Sequence, residues 1–264
     1  MEAAMRRRFI AEYTTIRHAE GRGSEEPAYY QALPYRDLSG KLAEQWQMRA
    51  RTYRHFERTI LAEIETRLHR PLKILDLGAG NGWMSYRVAL RGHRPIAVDI
   101  LTDAKDGLGA RRHYPCPVAA VEAEFDCLPF PSARFDLIVY NASIHYSTDY
   151  RRTLAEARRC LRPGAAVVIL DSPVYRRREH GHRMLQERHA FFERVYGFRS
   201  DAVPSLQFFD EATLATLARD LRIEWQCSYP WYGLRWSLRP WKARLLRQRP
   251  PSRFFILIGR FLDR

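Results

Sequence analysis

Ten residues decide the fold of this 264-residue chain: Lys73-Ile74-Leu75-Asp76-Leu77-Gly78-Ala79-Gly80-Asn81-Gly82. The apolar run from Ile74 to Leu77 is typical of a buried strand, and the glycines that follow predict a tight turn in place of a longer strand. Glycine adopts positive φ without strain and lets the backbone approach a ligand closely. The segment from Trp83 to Leu90 predicts a helix, so a ligand would rest on the turn at the start of that helix.

A second predicted strand, Pro95 to Val98, ends in Asp99. An acidic side chain about 20 residues beyond such glycines accepts the hydroxyls of a ribose. The spacing here is G-x-G-x-G, whereas dinucleotide-binding turns carry G-x-G-x-x-G and would need glycine in place of Trp83. The sequence therefore predicts a nucleotide-type cofactor pocket and disfavours a nicotinamide oxidoreductase.

Asp76 and the G-x-G-x-G turn resemble the first motif of class I S-adenosylmethionine-dependent methyltransferases, of the small-molecule, methyltransferase domain 11 type. Two further stretches are similar to that family: Glu124 to Tyr140 to its third-strand loop and fourth strand, and Leu161 to Asp171 to the turn and strand that follow. The resemblance covers roughly residues 71 to 173. It implies an α/β fold: a doubly wound, Rossmann-like, mostly parallel seven-stranded sheet with an N-terminal helical cover and C-terminal helical and aromatic insertions. The alternation of predicted strands and helices independently favours a parallel sheet.

Two regions are expected along the chain. Residues 1–70 would form an N-terminal strap and a long covering helix with Ser39 as its N-cap. Residues 71–264 would form the S-adenosylmethionine-binding domain, with substrate-side insertions at 175–205 and 229–252. The last two predicted strands, Ile223 to Cys227 and Phe254 to Ile258, would close the sheet as an antiparallel pair, as the resemblance implies.

The resemblance also implies a cofactor site for S-adenosylmethionine, with S-adenosylhomocysteine as the product. Its expected residues lie in the glycine turn, at the end of the second strand and in the loops after the third and fourth strands: Asp76, Gly78, Ala79, Gly80, Asn81, Gly82, Asp99, Ile100, Glu124, Phe125 and Asn141. Asp76 would orient the turn and the cofactor's amino group. Glu124 stands where the family usually has Asp near the adenine amino group. On the long helix, Trp46, Arg49 and Tyr53 would fold over the methionine end, with core packing as the alternative for Trp46 and Tyr53.

His145 follows the fourth strand, where the resembled enzymes place the transferred methyl group. Its ordinary pKa near 6.5 suits it to take a proton from a hydroxyl, although a packing role against the cofactor is the alternative. Asp171, at the end of the fifth strand, is the other candidate base. The stretch Asn141-Ala142-Ser143-Ile144 lacks the Asn-Pro-Pro-aromatic motif of base N-methylating relatives, and no cysteine after proline is present for cytosine C5 methylation at this point.

No metal site is expected. The four cysteines are scattered without C-x-x-C spacing. His180, His182 and His189 lie among arginines that would repel a cation, so a solvated charged helix is the better interpretation.

The composition leaves the acceptor open. The formal net charge is +14, and from Leu234 to Arg264 there are nine Lys or Arg and a single acid, Asp263. A small organic acceptor, methylated at O, N or C, is the default. The alternatives are an RNA-associated methyltransferase that uses the basic C-terminal segment and an interfacial methyltransferase that acts on a lipid-like substrate. Nucleic acid or a membrane surface would then be the partner of the basic, Trp-containing segment 229–264. No obligate protein partner is inferred. The basic start lacks a secretory apolar segment and no apolar run approaches the ~20 residues of a membrane helix, so a cytoplasmic location is expected.

Overall fold

The computed structural model describes residues 3–262. Nine strands form within them: β1 (Lys73–Leu77), β2 (Arg94–Asp99), β3 (Ala119–Glu122), β4 (Phe135–Asn141), β5 (Leu161–Leu170), β6 (Val174–Tyr175), β7 (Phe209–Asp210), β8 (Ile223–Ser228) and β9 (Ile256–Phe261). Seven build one sheet in the order β3-β2-β1-β4-β5-β9-β8, and β6 pairs with β7 separately. Strands β1 to β5 pair in parallel, whereas β9 runs antiparallel to both neighbours. The predicted Rossmann-like, seven-stranded sheet is confirmed.

Helices cover both faces of this sheet. Within the same residues they are α1 (Ala3–Ala19), α2 (Pro27–Ala32), α3 (Ala43–Phe56), α4 (Ala62–Leu68), α5 (Trp83–Leu90), α6 (Tyr150–Cys160), α7 (Arg178–Tyr196), α8 (Glu211–Leu221), α9 (Leu234–Ser237) and α10 (Arg239–Leu245). A π-helical turn, Glu57–Leu61, joins α3 to α4. Short 3₁₀ turns occur at Leu108–His113 and Ile144–Tyr146.

The central strands are buried along most of their length because both faces of the sheet are covered. All seven residues of β4 are buried. Ile74 and Val139 pack with Trp83 into the core on one face of the sheet, while Leu75 and Ile138 pack into the core on the other. This two-sided burial explains why the sequence shows unbroken apolar runs where a one-sided sheet would alternate.

The sheet places its ligand crevice at the carboxyl end of β1. Strand β1 lies between β2 and β4, so the chain order reverses there. In open α/β sheets this reversal opens a crevice between the loops that leave the two neighbouring strands. The loops after β1, β2, β4 and β5 therefore converge on one edge.

The start of the covering helix differs from the prediction. Helix α3 begins at Ala43 with Leu42 at its N-cap, and Ser39 lies before it in a turn. Asp37 explains the difference, because its carboxylate accepts hydrogen bonds from the backbone N–H of Leu42 at 2.7 Å and of Ser39 at 3.0 Å. The acid thus organises the turn that a serine cap was expected to form.

The C-terminal region matches its predicted elements more closely. Asp210 caps α8, accepting from the backbone N–H of Thr213 at 2.7 Å. The predicted closing strands are present as β8 and β9, although β9 begins two residues later than the predicted Phe254. Their connection carries α9 and α10. Asp263 and Arg264, at the end of the basic tail, lie outside the described residues, as do Met1 and Glu2 at the basic start.

Candidate active site

A cavity of about 710 Å³ opens at the carboxyl ends of β1, β2, β4 and β5. This volume is within the range of small-molecule and cofactor sites, roughly 300–1,000 Å³. Most of the predicted cofactor residues line it: Gly78, Ala79, Gly80, Asn81, Asp99, Ile100, Glu124, Phe125 and Asn141. Both candidate bases, His145 and Asp171, line it as well. Gly82 and Asp76 are not on its wall.

The glycine turn is held close to β2 and to the loop after β4. The backbone N–H groups of Gly78 and Ala79 both donate to the carbonyl of Val98, at 2.8 and 3.0 Å. Gly78 has φ of +72°, and a Cβ on it would come within 2.3 Å of the Ser143 Cβ. Only glycine fits there, because both the backbone conformation and the close approach exclude a side chain.

Asp99 sits at the end of β2 with its carboxylate facing the glycine turn. Oδ2 accepts from the backbone N–H of Gly80 and Oδ1 from that of Leu101, each at 2.8 Å. Burial raises the pKa of Asp99, although these backbone donors work in the opposite direction. Each carboxylate oxygen keeps a further lone pair, so Asp99 can still accept from the two hydroxyls of a ribose.

Asp76 lies behind the glycine turn, against α5. Its Oδ2 accepts a hydrogen bond from the Ser85 hydroxyl at 2.8 Å, while Oδ1 is buried with no partner within residues 3–262. Burial raises the pKa of Asp76 to about 7, with the Ser85 hydrogen bond opposing the rise. The contact seen is with the helix that follows the turn, and a role toward the cofactor's amino group stays a prediction.

Asn81 and Gly82 form the entry into α5. The Asn81 Oδ1 accepts from the backbone N–H of Trp83 at 3.2 Å, and Gly82 has φ of +76° at the N-cap. Gly82 therefore shapes the turn from outside the cavity.

Backbone strain marks the strand ends that face the cavity. Ala142 follows β4 with φ of +54°, and Asp171 follows β5 with φ of +48°. A residue with a side chain adopts this conformation at an energetic cost, and such strain concentrates at ligand sites. The conformation turns the chain sharply as it leaves each strand.

The environment of His145 makes it a weak base. Burial lowers its pKa to about 3, and the positive charges of Arg188 and Arg49 add to the effect. Its Nδ1 lies 3.3 Å from the Ser172 hydroxyl, in a contact that depends on the tautomer. An imidazole with so low a pKa is a poor general base for a hydroxyl group at neutral pH.

Asp171 is joined to the covering helix and to the C-terminal insertion. Its Oδ1 accepts from the Thr52 hydroxyl at 2.7 Å, and that hydroxyl is 2.9 Å from the Tyr232 hydroxyl. The other oxygen, Oδ2, is buried without a partner within residues 3–262. Burial raises the pKa of Asp171, against the Thr52 hydrogen bond and the charge of Arg49.

Helix α1, which lies in the segment expected to form the N-terminal strap, covers the cavity. Phe9, Tyr13 and Arg17 line the wall from this helix. The Phe9 and Tyr13 rings contact Tyr146 at centroid distances of 5.9 and 5.7 Å, and Arg17 pairs with Asp106. Phe9 and Tyr13 are four residues apart, which places both rings on one face of a helix, and this spacing was the signal in the sequence for an apolar helix face here.

Two cavity arginines lack an acidic partner. Arg49 makes no hydrogen bond or ion pair within residues 3–262, and its guanidinium lies over the Trp46 ring at 5.1 Å. Arg188, on α7, donates to the side-chain carbonyl of Gln207 and pairs with no carboxylate there. Arg49 lies on the predicted covering helix, whereas nothing local in the sequence connects Arg188 or Gln207 to a motif.

Metal and membrane features are not found in the part of the chain that the structure describes. It contains no group of three or more His, Cys, Asp or Glu placed to hold a metal ion. None of its helices combines the length and the apolar character needed to span a membrane.

Comparison with known proteins identifies the domain. Residues 75–169 match the family model described as a methyltransferase domain. The chain is 30% identical over 133 residues to a malonyl-[acyl-carrier protein] O-methyltransferase of Pseudescherichia vulneris, covering 49% of this chain and 50% of that protein. It is 33% identical over 105 residues to a 2-phytyl-1,4-naphtoquinone methyltransferase of Nostoc punctiforme, covering 37% and 45%. The chain thus spans about half the length of these curated relatives.

Solved structures share the fold. A SAM-dependent methyltransferase from Methanosarcina mazei superposes with a TM-score of 0.50 at 18% identity, covering 78% of this chain and 98% of that one. The YcgJ protein of Bacillus subtilis gives a TM-score of 0.52 at 16% identity, covering 78% and 100%. The matched residues run from β1 to β5, so this part of the chain is a methyltransferase domain, and its fold is the one found in the S-adenosylmethionine-dependent methyltransferase of known structure.

Proposed function

We propose that this protein transfers a methyl group from S-adenosylmethionine to a small organic acceptor. The observation that carries the proposal is the glycine turn with Asp99: a carboxylate fixed by two backbone N–H groups at the edge of a cavity of about 710 Å³. The organic acceptors in the names of the curated relatives, a malonyl group on a carrier protein and a naphthoquinone, support this class of substrate.

The residues on the cavity wall fit the cofactor. Its methionine end bears a carboxylate and an ammonium, and the wall offers Arg49, a cation without an acidic partner, and Asp171, whose Oδ2 is buried and has no partner within residues 3–262. Asp99 suits the ribose, while Ile100 and Phe125 supply apolar surface for the adenine. The proposal assigns Arg49 with Trp46 to the methionine carboxylate.

The bound cofactor would supply a methyl group on a sulfonium, a good leaving group. The chain then has to align the acceptor and keep water out, since positioning alone lowers a barrier substantially. Helix α1 covers the cavity with Phe9 and Tyr13, which provides the exclusion. A general base is required only for an acceptor that arrives protonated.

Titration with S-adenosylhomocysteine tests the cofactor assignment. Asp99→Asn should weaken binding by about tenfold or more, because an amide replaces one of the oxygens that accept the ribose hydroxyls. Asp220→Asn, on the exposed side of α8, is the matched control and should bind like the wild type. Equal calorimetric affinities for all three proteins would refute the assignment.

A second candidate is an interfacial methyltransferase that acts on a lipid-like acceptor. Leu234, Leu238, Trp241 and Leu245 recur at helical spacing along α9 and α10, and they are 72, 59, 71 and 84% exposed. Exposed apolar side chains in such a row favour contact with an apolar phase. Co-sedimentation with lipid vesicles tests it: a protein that stays in the supernatant with every vesicle composition would rule it out.

A further inference from the structure

Five arginines line the cavity, and three of them are already paired with a carboxylate. Arg17 pairs with Asp106, Arg22 with Glu20 and Arg152 with Asp126. Arg49 and Arg188 have no such partner within residues 3–262. If Arg49 receives the cofactor's methionine carboxylate, as proposed above, one uncompensated cation remains in the cavity.

That cation is fixed beside the loop that follows β4. Arg188 donates through Nη1 to the Gln207 Oε1, and the backbone N–H of Gln207 donates to the His145 carbonyl at 2.7 Å. Gln207 is buried and holds a left-handed backbone with φ of +65°. Its amide nitrogen donates to the Ser205 hydroxyl. Gln207 is therefore a positioning residue that ties Arg188 to the His145 turn.

A guanidinium held in this way is suited to an anion. A partly buried cation is costly unless a negative group compensates it. Arg carries five N–H donors in a planar fork that matches both oxygens of a carboxylate, and Gln207 occupies one of them. The remaining donors are available to a ligand, because Arg188 lies on the cavity wall.

Apolar side chains share the cavity wall with Arg188. Phe192, one turn further along α7, places its ring under the guanidinium at 5.0 Å. Val203, Pro204 and Phe254 line the same cavity. An acceptor that satisfies both features has an anionic head and an apolar body.

The bases on the wall point to an acceptor that needs no deprotonation. Burial lowers the pKa of His145 to about 3, and the Asp171 oxygen left free by Thr52 is the one that faces the cofactor's ammonium in the function proposed above. A carboxylic acid, with an ordinary pKa of about 4, is ionised at neutral pH without help from the protein. An alcohol or phenol would need a stronger base than the wall provides.

We propose that the acceptor is an organic carboxylate with an apolar body, that Arg188 binds its carboxylate, and that one carboxylate oxygen receives the methyl group. This inference rests on the proposed function. The oxygen forms a bond to the methyl carbon as the carbon–sulfur bond breaks, and the sulfur keeps the electron pair. The products are a methyl ester and S-adenosylhomocysteine, and no proton is transferred.

The test begins with protein saturated with S-adenosylhomocysteine, whose own binding is measured first. This complex is titrated with decanoate, 3-phenylpropanoate and a malonyl monothioester of pantetheine, each against its neutral carboxamide. At least one acid should bind about tenfold or more tightly than its amide. The thioester arm distinguishes a carrier-attached acid from a free one. Loss of S-adenosylhomocysteine binding itself would refute the proposed function, whereas intact binding with no preference for any acid would refute the carboxylate site alone.

Variants separate recognition from folding. Arg188→Gln should abolish the preference for the acid while S-adenosylhomocysteine binds as in the wild type. Gln207→Glu should do the same by a different route, because the new carboxylate pairs with Arg188 and neutralises it without removing it. Arg183→Gln, an exposed position on the same helix, is the control. A purely structural Arg188 would leave the preference intact in Gln207→Glu, and that result would overturn the proposal.

The transfer step has its own readout. With methyl-labelled S-adenosylmethionine and the preferred acid, the label should be released as methanol by mild alkali, as expected of a methyl ester. Label that resists alkali would show that another atom is methylated and would overturn the ester step.

Discussion

At the scale of single residues, Asp76 gives a pH-dependent stability. The folded protein holds its pKa at about 7, above the ordinary value of 3.8. Between these values the folded state binds a proton that the unfolded state has lost. Asp76 therefore stabilises the fold relatively at low pH, and this contribution is lost as pH rises through about 7.

Asp76→Asn should remove that dependence, since the amide does not ionise. The difference in unfolding free energy between variant and wild type should move in the variant's favour by about 2 kcal/mol or more from pH 5 to pH 8. Urea denaturation at four pH values measures it. Ser85 can still donate to the amide oxygen, so the fold should persist. A difference that stays constant across the pH range would contradict the raised pKa.

Some residues of the cavity could be predicted from the sequence, and others could not. Gly78 and Asp99 belong to a local motif that is recognisable from its spacing, and both line the cavity. Arg188 and Gln207 are 43 and 62 positions beyond His145, and only the folded chain brings them to its turn. The burial that weakens His145 as a base is likewise a property of tertiary packing.

At the scale of elements, helix α1 covers the cavity and is held to the rest of the protein by few contacts. Ile16 is its sole buried residue. Arg17 joins it to Asp106, and Arg6 joins it to Glu122 at 2.5 Å. A helix with so little buried apolar surface is held mainly by these polar contacts and by the rings of Phe9 and Tyr13, so its opening should require little free energy.

Arg17→Gln should loosen this cover and speed the release of S-adenosylhomocysteine about tenfold, because the substitution removes a charged hydrogen bond to Asp106. Stopped-flow dissociation of the bound product measures the rate. Arg7→Gln, at an exposed position of the same helix, is the control and should release at the wild-type rate. Unchanged release from Arg17→Gln would mean that α1 does not limit exit.

Element boundaries were predictable where a local signal set them. The helix predicted from Trp83 to Leu90 is α5 at those bounds, since the glycine turn fixes its start. The start of α3 was missed because Asp37 forms its turn through hydrogen bonds that the spacing of apolar residues does not reveal. The positions of the helices could therefore be predicted from the pattern of apolar residues, whereas the start of α3 depends on a side-chain hydrogen bond.

At the scale of the whole molecule, some of the arginines that contribute to the net charge of +14 are paired or stacked within the fold. Arg249 pairs with Glu187, and Arg239 lies over the Trp236 ring. By contrast, Arg244 and Arg247 have no side-chain partner within residues 3–262. An apolar row flanked by free cations matches an anionic lipid surface, where each such charge contributes about 1 kcal/mol.

Binding to vesicles should therefore need both features. The protein should co-sediment with phosphatidylglycerol vesicles more than with neutral ones, and less as salt rises. Leu245→Glu should reduce binding several-fold, whereas Leu90→Glu, an exposed leucine on α5, should not. Salt-dependent binding to RNA that falls on changing Arg244 and Arg247 to Ala, with no vesicle binding, would favour the RNA-associated alternative instead.

The position of β9 has a consequence for how the chain folds during synthesis. Strand β9 lies between β5 and β8, although β8 precedes it in the chain. As the polypeptide leaves the ribosome, β8 emerges with no strand to pair with, and it stays unattached until the following residues through Phe261 have been made. The sheet consequently closes from its interior strand outward in one late step. A ribosome-bound chain halted before Ile256 would have the glycine turn and Asp99 but no assembled β8–β9 edge.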